Sequence, residues 1–149
     1  MPAIVVVTEA VLSAPIALVW QVLTDTAAYP EWNPVIRSLE PRGPMVAGGR
    51  ASLTIALLEG APPLKIGVRF RCVDHERQIG WVGGIPGITQ GHHYFCVAPE
   101  RDGTTRLTHG ENFTGLLAAA VRPFARPILT ARYELTNRAI AERCAALSQ

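Results

Sequence analysis

Hydrophobic and polar positions alternate with a period of two at residues 50–58 and 64–73 of this chain, which is the pattern of β-strands that bury one face. Residues 15–24 break the pattern, because their apolar side chains follow helical spacing, and Ser13 stands where it can cap such a helix. The longest helical pattern covers residues 128–147. The predicted strands are 3–12, 35–41, 50–58, 64–73, 78–82 and the two arms of a hairpin within 91–115. The predicted order is one strand, two short helices, six strands and a long final helix.

Several prolines divide the helical segments. Pro30 and Pro34 predict that the second short helix ends between them, since two prolines cannot lie inside a continuous helix. Pro123 and Pro127 predict that residues 116–121 form a connecting segment or a first turn and that the long helix starts after them. The face of the long helix that we expect to pack inward carries Leu129, Thr136, Ile140 and Leu147.

Six consecutive strands separated by turn signals predict an antiparallel sheet. The long helix must bury its apolar stripe, and the concave face of that sheet is the partner available to it. We therefore expect the α+β class: a curved antiparallel sheet of six to seven strands wrapped around a long C-terminal helix, with two short helices after the first strand. At 149 residues the chain is expected to form one domain, residues 1–149. A sheet that grips a helix leaves a space between the two.

The segment from Gly91 to Gly115 predicts two strands joined by a tight turn. A three-residue loop at residues 101–103, with Gly103 left-handed, suits a type I turn closed by a bulge. This loop sets Val97 opposite Leu107, so that apolar side chains share one face of the sheet. A two-residue loop would shift the register by one residue. We prefer the first register because it pairs apolar with apolar side chains.

The preferred register also sets His93 opposite Glu111 and Phe95 opposite His109, and it turns the polar side chains inward. Burial raises the pKa of a carboxylic acid and lowers that of a histidine, so both approach neutrality. Such groups can remove a proton beside a carbonyl, contact a ligand, or form a hydrogen-bonded group that orders the sheet. Two histidines and a carboxylate can also hold zinc or iron. No recognised metal-ligand motif is present, so we expect no metal.

The composition narrows the classes of function. With 48% hydrophobic and 17% charged residues, the chain has either a large core or an internal apolar surface beyond it. A formal charge of +2 is too small to favour nucleic-acid binding. Cys72, Cys96 and Cys144 are widely spaced and form no CxxC motif, which favours a reducing compartment. Without a basic leader segment or an apolar run of membrane-spanning length, we expect a cytoplasmic protein with no integral membrane association.

A series of short motifs runs through essentially the whole chain in a characteristic order. They are Ala14-Pro15 with Val19-Trp20, Tyr29-Pro30-Glu31-Trp32-Asn33-Pro34, Trp81, Gly103-Thr104-Thr105-Arg106-Leu107-Thr108-His109, and Glu111-Asn112-Phe113-Thr114-Gly115. In these motifs the chain resembles the START/Bet v 1-like (SRPBCC) superfamily, and in particular its bacterial polyketide cyclase/dehydrase-like members. The resemblance implies a helix-grip fold with a ligand cavity between the sheet and the long helix. It also implies apolar ligands such as lipids, sterols or polyketide intermediates, and in some members cyclase, aromatase or dehydratase activity without a cofactor.

We therefore expect the protein to bind a small hydrophobic, partly oxygenated ligand in an internal cavity, without a cofactor. The alternative is a cofactor-independent cyclase, aromatase or dehydratase in which Glu111 and either His93 or His109 are catalytic. The residues expected to contact the ligand are Trp32, Leu53, Ile55, Phe70, Trp81, His93, Phe95, His109, Glu111, Phe113, Leu129, Arg132, Tyr133 and Thr136.

Some alternatives stay open at this point. Arg132 is expected either to pair with Glu111 or a ligand carboxylate, or to extend into solvent along its stem. Residues 83–87 are expected to form a flexible loop, which is either a lid at the cavity entrance or an ordinary hairpin turn. Cys72 is expected in the core. A third class of function is an interaction module whose arginine-rich last helix binds a protein or an anionic membrane surface. The oligomeric state is left open.

Overall fold

The structure is a computed structural model that describes residues 1–149. The strands are β1 (Ile4–Leu12), β2 (Ile36–Pro41), β3 (Arg50–Ile55), β4 (Leu64–Asp74), β5 (Gln78–Ile85), β6 (Thr89–Pro99) and β7 (Thr105–Thr114). The helices are α1 (Ile16–Thr24), α2 (Tyr29–Trp32) and α3 (Leu116–Leu147), with 3₁₀ turns at Thr26–Ala28 and Arg101–Gly103. All seven strands form one antiparallel sheet in the order β1-β7-β6-β5-β4-β3-β2. The expected α+β class, with a curved sheet, a long C-terminal helix and short helices after the first strand, is confirmed.

The core lies between the inner face of the sheet and the second half of α3. Ile140 of α3 belongs to the larger apolar cluster, together with Leu107 of β7 and Val19 of α1. A smaller, separate cluster joins Leu129 and Tyr133 of α3 to the start of β1. Side chains from both clusters line the candidate site, which lies where the two clusters face each other.

The first short helix differs in detail from the expectation. Pro15, and not Ser13, occupies the N-cap of α1, and no side chain caps that helix. Pro30 lies in the first turn of α2, where its missing N–H has no intrahelical acceptor. Helix α2 ends at Trp32, between Pro30 and Pro34 as expected.

Helix α3 departs most from the expectation, because it begins at Leu116 and continues through both Pro123 and Pro127. Each proline removes one backbone hydrogen bond from the helix. The N–H groups of the first two helical residues donate to the carbonyls of Gly87 and Ile88, at 3.1 and 3.0 Å. These bonds anchor the first turn to the connection between β5 and β6. The helix therefore starts well before the expected residue.

The inward face of α3 agrees with the expectation over most of its length. Leu129, Thr136 and Ile140 are buried, and Tyr133 is buried beside them. Leu147 is the exception, since it is 43% exposed at the end of the helix. The inward stripe therefore stops short of the last turn.

Two strands differ from their expected form. Strand β5 continues to Ile85 and β6 begins at Thr89, so the expected flexible loop at residues 83–87 is mostly strand, and only residues 86–88 connect the two. Strand β3 ends at Ile55 rather than at residue 58.

A bulge in β4 changes the face to which Cys72 points. Phe70 pairs with Trp81 of β5, but Cys72 pairs with Gly80, so one residue of β4 has no partner. The bulge turns Cys72 away from the core, and it lies half-buried close to Cys96. Its expected core position is therefore wrong.

The expected register of the β6–β7 hairpin is confirmed. Val97 lies opposite Leu107, and His93 lies opposite Glu111. The turn itself differs from a type I turn with a bulge, because Asp102 adopts a positive φ of 64° as well as Gly103. A short Asp side chain tolerates this conformation better than most residues do.

Candidate active site and ligand cavity

Three adjoining spaces lie on the inner side of the sheet, and α3 contributes to the walls of two of them, the inner pocket and the outer groove. The main cavity, of about 240 Å³, is lined by Leu53, Ile55, Leu57, Leu64, Ile66, Val68, Trp81, Gly83, Gly84, Thr89, Gly91, Glu111 and Phe113. The inner pocket, of about 30 Å³, is lined by Val35, Ile36, Leu53, Ile55, Leu57, Trp81, His93, His109, Glu111, Tyr133 and Thr136. The outer groove, of about 280 Å³, is lined by Ile4, Leu57, Leu58, Thr89, Phe113, Ala118, Val121, Ala125, Ile128 and Leu129. The three spaces share walls, and Leu57 lines all of them.

Glycines on neighbouring strands make room for the main cavity. Gly83 of β5 pairs directly with Gly91 of β6, and both line the cavity. A Cβ atom on Gly91 would lie 2.7 Å from Oε1 of Glu111. The missing side chain at this position therefore lets the carboxyl group lie against the strand.

A chain of buried hydrogen bonds crosses from the sheet to α3. Nε2 of His93 lies 2.6 Å from Nε2 of His109, and Nδ1 of His109 lies 2.9 Å from Oδ1 of Asn137. The Asn137 side-chain N–H donates to Oγ1 of Thr8 at 2.8 Å, and the Thr8 hydroxyl donates to the backbone carbonyl of His109 at 3.0 Å. The four residues come from β6, β7, α3 and β1, so the chain ties three strands to the helix.

These bonds assign the tautomers of both histidines. The Asn137 amide uses its N–H on Thr8, so its carbonyl oxygen must accept from Nδ1–H of His109. Neutral His109 then offers Nε2 as an acceptor, and His93 must donate to it through Nε2–H. Nδ1 of His93 is left as a bare acceptor, and it has no partner in the protein.

Aromatic contacts hold the two imidazole rings in place. The His93 ring stacks on Trp81 with 4.4 Å between ring centres, and the His109 ring stacks on Tyr133 at 4.4 Å. Burial lowers the pKa of His109 to about 3, against a smaller opposite effect of its bond to Asn137. Burial also lowers the pKa of His93, and the neighbouring His109 lowers it further. Both rings are therefore neutral near pH 7.

Glu111 is the only carboxyl group that lines the cavity. The hydroxyl of Tyr133 donates to its Oε2 atom. The side chain lines the main cavity and the inner pocket, and burial raises its pKa from 4.5 to about 8. At pH 7 the carboxyl group is mostly protonated, so it can donate one hydrogen bond and accept others.

Ten of the fourteen residues expected to contact a ligand line at least one of the three spaces. They are Leu53, Ile55, Trp81, His93, His109, Glu111, Phe113, Leu129, Tyr133 and Thr136. The sheet register brings the histidines and Glu111 together, and α3 adds Tyr133 and Thr136 from above. Whether these residues contact a ligand stays a prediction.

The other four expected residues line none of the three spaces. Trp32 packs edge-on against Tyr29, with 5.3 Å between ring centres. Phe70 is fully buried behind Trp81, and Phe95 is buried behind the two histidine rings. Phe70 and Phe95 fill the core beneath the cavity wall, and the partly buried Trp32 packs against that core.

Arg132 is the fourth of these residues, and it does not reach Glu111. Its Nε and Nη2 atoms donate to the backbone carbonyl of Ala56 at 3.1 and 2.6 Å. The side chain therefore closes the end of β3 against α3. Arg143, in the same helix, donates to Glu31 at 3.2 Å, so two arginines of this helix are engaged within the molecule.

Sequence reasoning missed several residues of the site. Asn137 was not expected there, although it follows Tyr133 by four positions and therefore shares its helix face. Thr8 falls on the strand face that points inward from β1, yet nothing local indicates its partner. Ile66 and Val68 carry a usable signal, because they alternate with polar residues along β4.

The two histidines and Glu111 do not form a metal centre in this arrangement. The Nε2 atoms of His93 and His109 are bonded to each other. The structure contains no group of three or more His, Cys, Asp or Glu side chains placed to hold a metal ion.

None of its helices is both long enough and apolar enough to cross a membrane.

Comparison with known proteins identifies the family. Residues 3–145 match the family model described as polyketide cyclase / dehydrase and lipid transport. No curated protein matches the chain. Among solved structures, a START superfamily protein from Mycobacterium smegmatis is 17% identical with a TM-score of 0.79, over 96% of this chain and 98% of that one.

Two enzymes share the fold. An aromatase/cyclase from a Streptomyces species is 20% identical with a TM-score of 0.74, over 98% of this chain and 96% of that one. A point mutant of norcoclaurine synthase from Thalictrum flavum is 18% identical with a TM-score of 0.74, over 98% of this chain and 96% of that one. The expected START/Bet v 1-like (SRPBCC) membership is confirmed: the chain belongs to the polyketide cyclase/dehydrase and lipid transport family.

Proposed function

We propose that this protein binds one small hydrophobic, partly oxygenated molecule in the main cavity. The observation that carries this proposal is an apolar cavity of about 240 Å³ with a single carboxyl group, that of Glu111, in its wall. An apolar space with a few polar groups is the usual form of a small-molecule site. We place the function in the cytoplasm, since the three cysteines are free and suit a reducing compartment.

The apolar lining of the outer groove, which adjoins the main cavity, supports the proposal that an apolar ligand enters through this groove. The outer groove shares Leu57, Thr89 and Phe113 with the main cavity, and nine of its ten lining residues are hydrophobic. A ligand passing through the groove would exchange water for apolar contact along its whole path. The family description, which includes lipid transport, is consistent with such a cargo.

Catalysis is supported less well than binding. A general base works best when its pKa lies near the working pH. The pKa of His109 is lowered to about 3, and the Nε2 atoms of both histidines are used in the bond between them. Glu111 has a pKa suited to acid chemistry, yet the same property serves a neutral hydrogen-bonding contact equally well. We therefore propose binding as the function.

Native mass spectrometry after incubation with a cellular lipid and metabolite extract tests the proposal. The wild-type protein should retain apolar species. Leu57→Trp should lose them, because Leu57 lines all three spaces and an indole there fills the main cavity. Val46→Trp is the matched control, since Val46 is 54% exposed and lines none of the spaces. Retention of nothing by the wild-type protein, or of the same species by Leu57→Trp, would contradict the proposal.

A further inference from the structure

We propose that the polar end of the ligand is uncharged and that it exchanges hydrogen bonds with the carboxyl group of Glu111. This inference rests on the proposed function, since it names the ligand class for the same cavity. Alcohols, ketones, esters and amides belong to the class, whereas carboxylates, phosphates and ammonium ions do not.

An anionic group would find no cationic partner in the cavity. Neither lysine nor arginine lines the main cavity, the inner pocket or the outer groove. Arg132, which was expected to pair with a ligand carboxylate, donates through two nitrogen atoms to the carbonyl of Ala56 instead. A buried carboxylate or phosphate without a counter-ion carries a large desolvation cost. Acidic ligands are therefore excluded by the lining itself.

An ammonium group would be held poorly. It has three N–H donors to satisfy, and among the acceptors of the two histidines and Glu111 only Nδ1 of His93 and Oε1 of Glu111 have no partner in the protein. Nε2 of His109 accepts from His93, and Oε2 of Glu111 accepts from Tyr133. Pairing with Glu111 would also require an ion pair in an apolar space, where desolvation of both charges offsets their attraction.

A neutral polar group matches the carboxyl group that is present. Glu111 is the one ionisable side chain that lines both the main cavity and the inner pocket. Its protonated form offers a donor for a ketone or ester and an acceptor for an alcohol or amide. The titratable groups around it are His93 on β6, His109 on β7 and Tyr133 on α3, while β3, β4 and β5 contribute no titratable side chain to the cavity lining.

The order of the spaces directs the apolar part of the ligand outward. The inner pocket, of about 30 Å³, has room for little more than a polar group or a water molecule. The main cavity continues into the outer groove through shared walls at Leu57, Thr89 and Phe113. A ligand with its polar end at Glu111 therefore places its hydrocarbon part in the main cavity and the groove.

Four unbranched probes of twelve carbon atoms each test the inference: dodecanol, 2-dodecanone, dodecanoate and dodecylamine. At pH 7 we expect dodecanol and 2-dodecanone to bind at least roughly ten-fold more tightly than the two charged probes, measured by titration calorimetry or displacement of a fluorescent lipid. Equal or tighter binding of dodecanoate or dodecylamine would overturn the inference and leave the proposed function intact. Binding of none of the four probes, together with no retained species from the extract, would instead count against the proposed function.

A substitution and a pH series identify the partner group. Glu111→Leu should weaken the binding of dodecanol and 2-dodecanone by roughly ten-fold, whereas Glu111→Gln should keep most of it, because an amide also donates and accepts. Glu134→Leu, on the exposed face of α3, is the matched control. Thermal unfolding of each variant checks that it is folded.

The pH series separates the two neutral probes. Above about pH 8, Glu111 loses its proton and with it the donor that a ketone needs. The affinity for 2-dodecanone should therefore fall as pH rises through that range, while dodecanol, which can donate to a carboxylate, should lose less. Identical pH profiles for the two probes would overturn the assignment of Glu111 as the contact.

Discussion

At the scale of single residues, one chain of hydrogen bonds links four buried polar side chains of the site, those of His93, His109, Asn137 and Thr8. Replacing Asn137 removes the acceptor for Nδ1–H of His109 and the donor for Thr8 together. An unsatisfied buried donor costs about 1 to 3 kcal/mol. We expect Asn137→Leu to lower the free energy of unfolding by about that amount in urea titrations. Arg138→Leu, next to it on the exposed face, should change little, and similar losses in both variants would contradict the role of Asn137.

The tautomers of the two histidines form a second prediction at this scale. The hydrogen bonds assign Nδ1–H to His109 and Nε2–H to His93. Nitrogen-15 NMR of the imidazole rings separates protonated from bare ring nitrogens and checks both assignments. Both rings should stay neutral well below pH 6.5, since burial lowers their pKa values. A His93 ring protonated at Nδ1 would contradict the hydrogen-bond chain.

Glu111 should make stability fall as pH rises above neutrality. Its pKa is raised from 4.5 to about 8 in the folded state, so the folded protein holds a proton that the unfolded chain releases. Stability therefore decreases with pH between the two values and levels off above about 8. The two buried histidines act in the opposite direction up to about pH 7.5, because burial lowers their pKa values and the unfolded chain still releases histidine protons in that range. From pH 6.5 to 8 the loss expected from Glu111 alone is up to about 2 kcal/mol.

Urea unfolding at several pH values measures this loss. Glu111→Gln should lose this decrease, because an amide does not titrate, so the stability difference between the wild-type protein and this variant should change with pH. Glu134→Gln, on the exposed face of α3, should follow the wild-type pH profile. A difference between the wild-type protein and Glu111→Gln that stays constant between pH 6.5 and 8 would show that the pKa of Glu111 is close to its ordinary value.

At the scale of elements, the two halves of α3 are unequal. From Leu116 to Ile128 the only buried residue is Ala118, and two prolines each remove a helical hydrogen bond. From Leu129 onward the helix buries a continuous face. Hydrogen exchange should therefore be faster in the first half than in the second.

Pro127→Ala should slow exchange in the first half of α3, since alanine restores the missing N–H and favours helix. Pro44→Ala, in the loop between β2 and β3, is the control and should leave α3 unchanged. Equal protection in both halves of the wild-type helix would contradict this view of the element.

The end of β5, where the chain turns towards β6, requires a glycine at position 84. Gly84 has a φ of 103°, and a Cβ atom there would overlap the backbone carbonyl of Thr89. Gly84→Ala should destabilise the protein by about 2 kcal/mol in thermal or urea unfolding. Gly67→Ala is a close control, because a Cβ atom at Gly67 meets nothing within 4 Å. A neutral Gly84→Ala substitution would indicate a different backbone at this turn.

At the scale of the whole molecule, side chains from both apolar clusters and their partly buried neighbours line the inner pocket and the main cavity. A bound ligand should therefore raise stability through mass action, by about 2.7 kcal/mol at a hundred times its dissociation constant. Stripping bound lipid should lower the melting temperature, and adding dodecanol should restore it. Leu57→Trp should respond to neither treatment. A wild-type melting temperature that ignores both would contradict a ligand-binding cavity.

The sequence by itself determined the features that rest on local chemistry. Alternation along each strand and the turn residues at 101–103 specified the sheet and the register that sets His93 opposite Glu111, because the side-chain period of a strand leaves only one register that matches apolar faces. The inward face of the second half of α3 followed from helical spacing in the same way.

Only the tertiary structure decided the features that depend on distant partners. Helix α3 starts at Leu116 because carbonyls of the β5–β6 connection accept its first N–H groups. Arg132 turns to Ala56, and Asn137 joins His109 to Thr8, through contacts between residues far apart in sequence. Spacing along one element shows which face a side chain occupies, but the atoms that meet it there, and the space left between them, are set by how the elements pack.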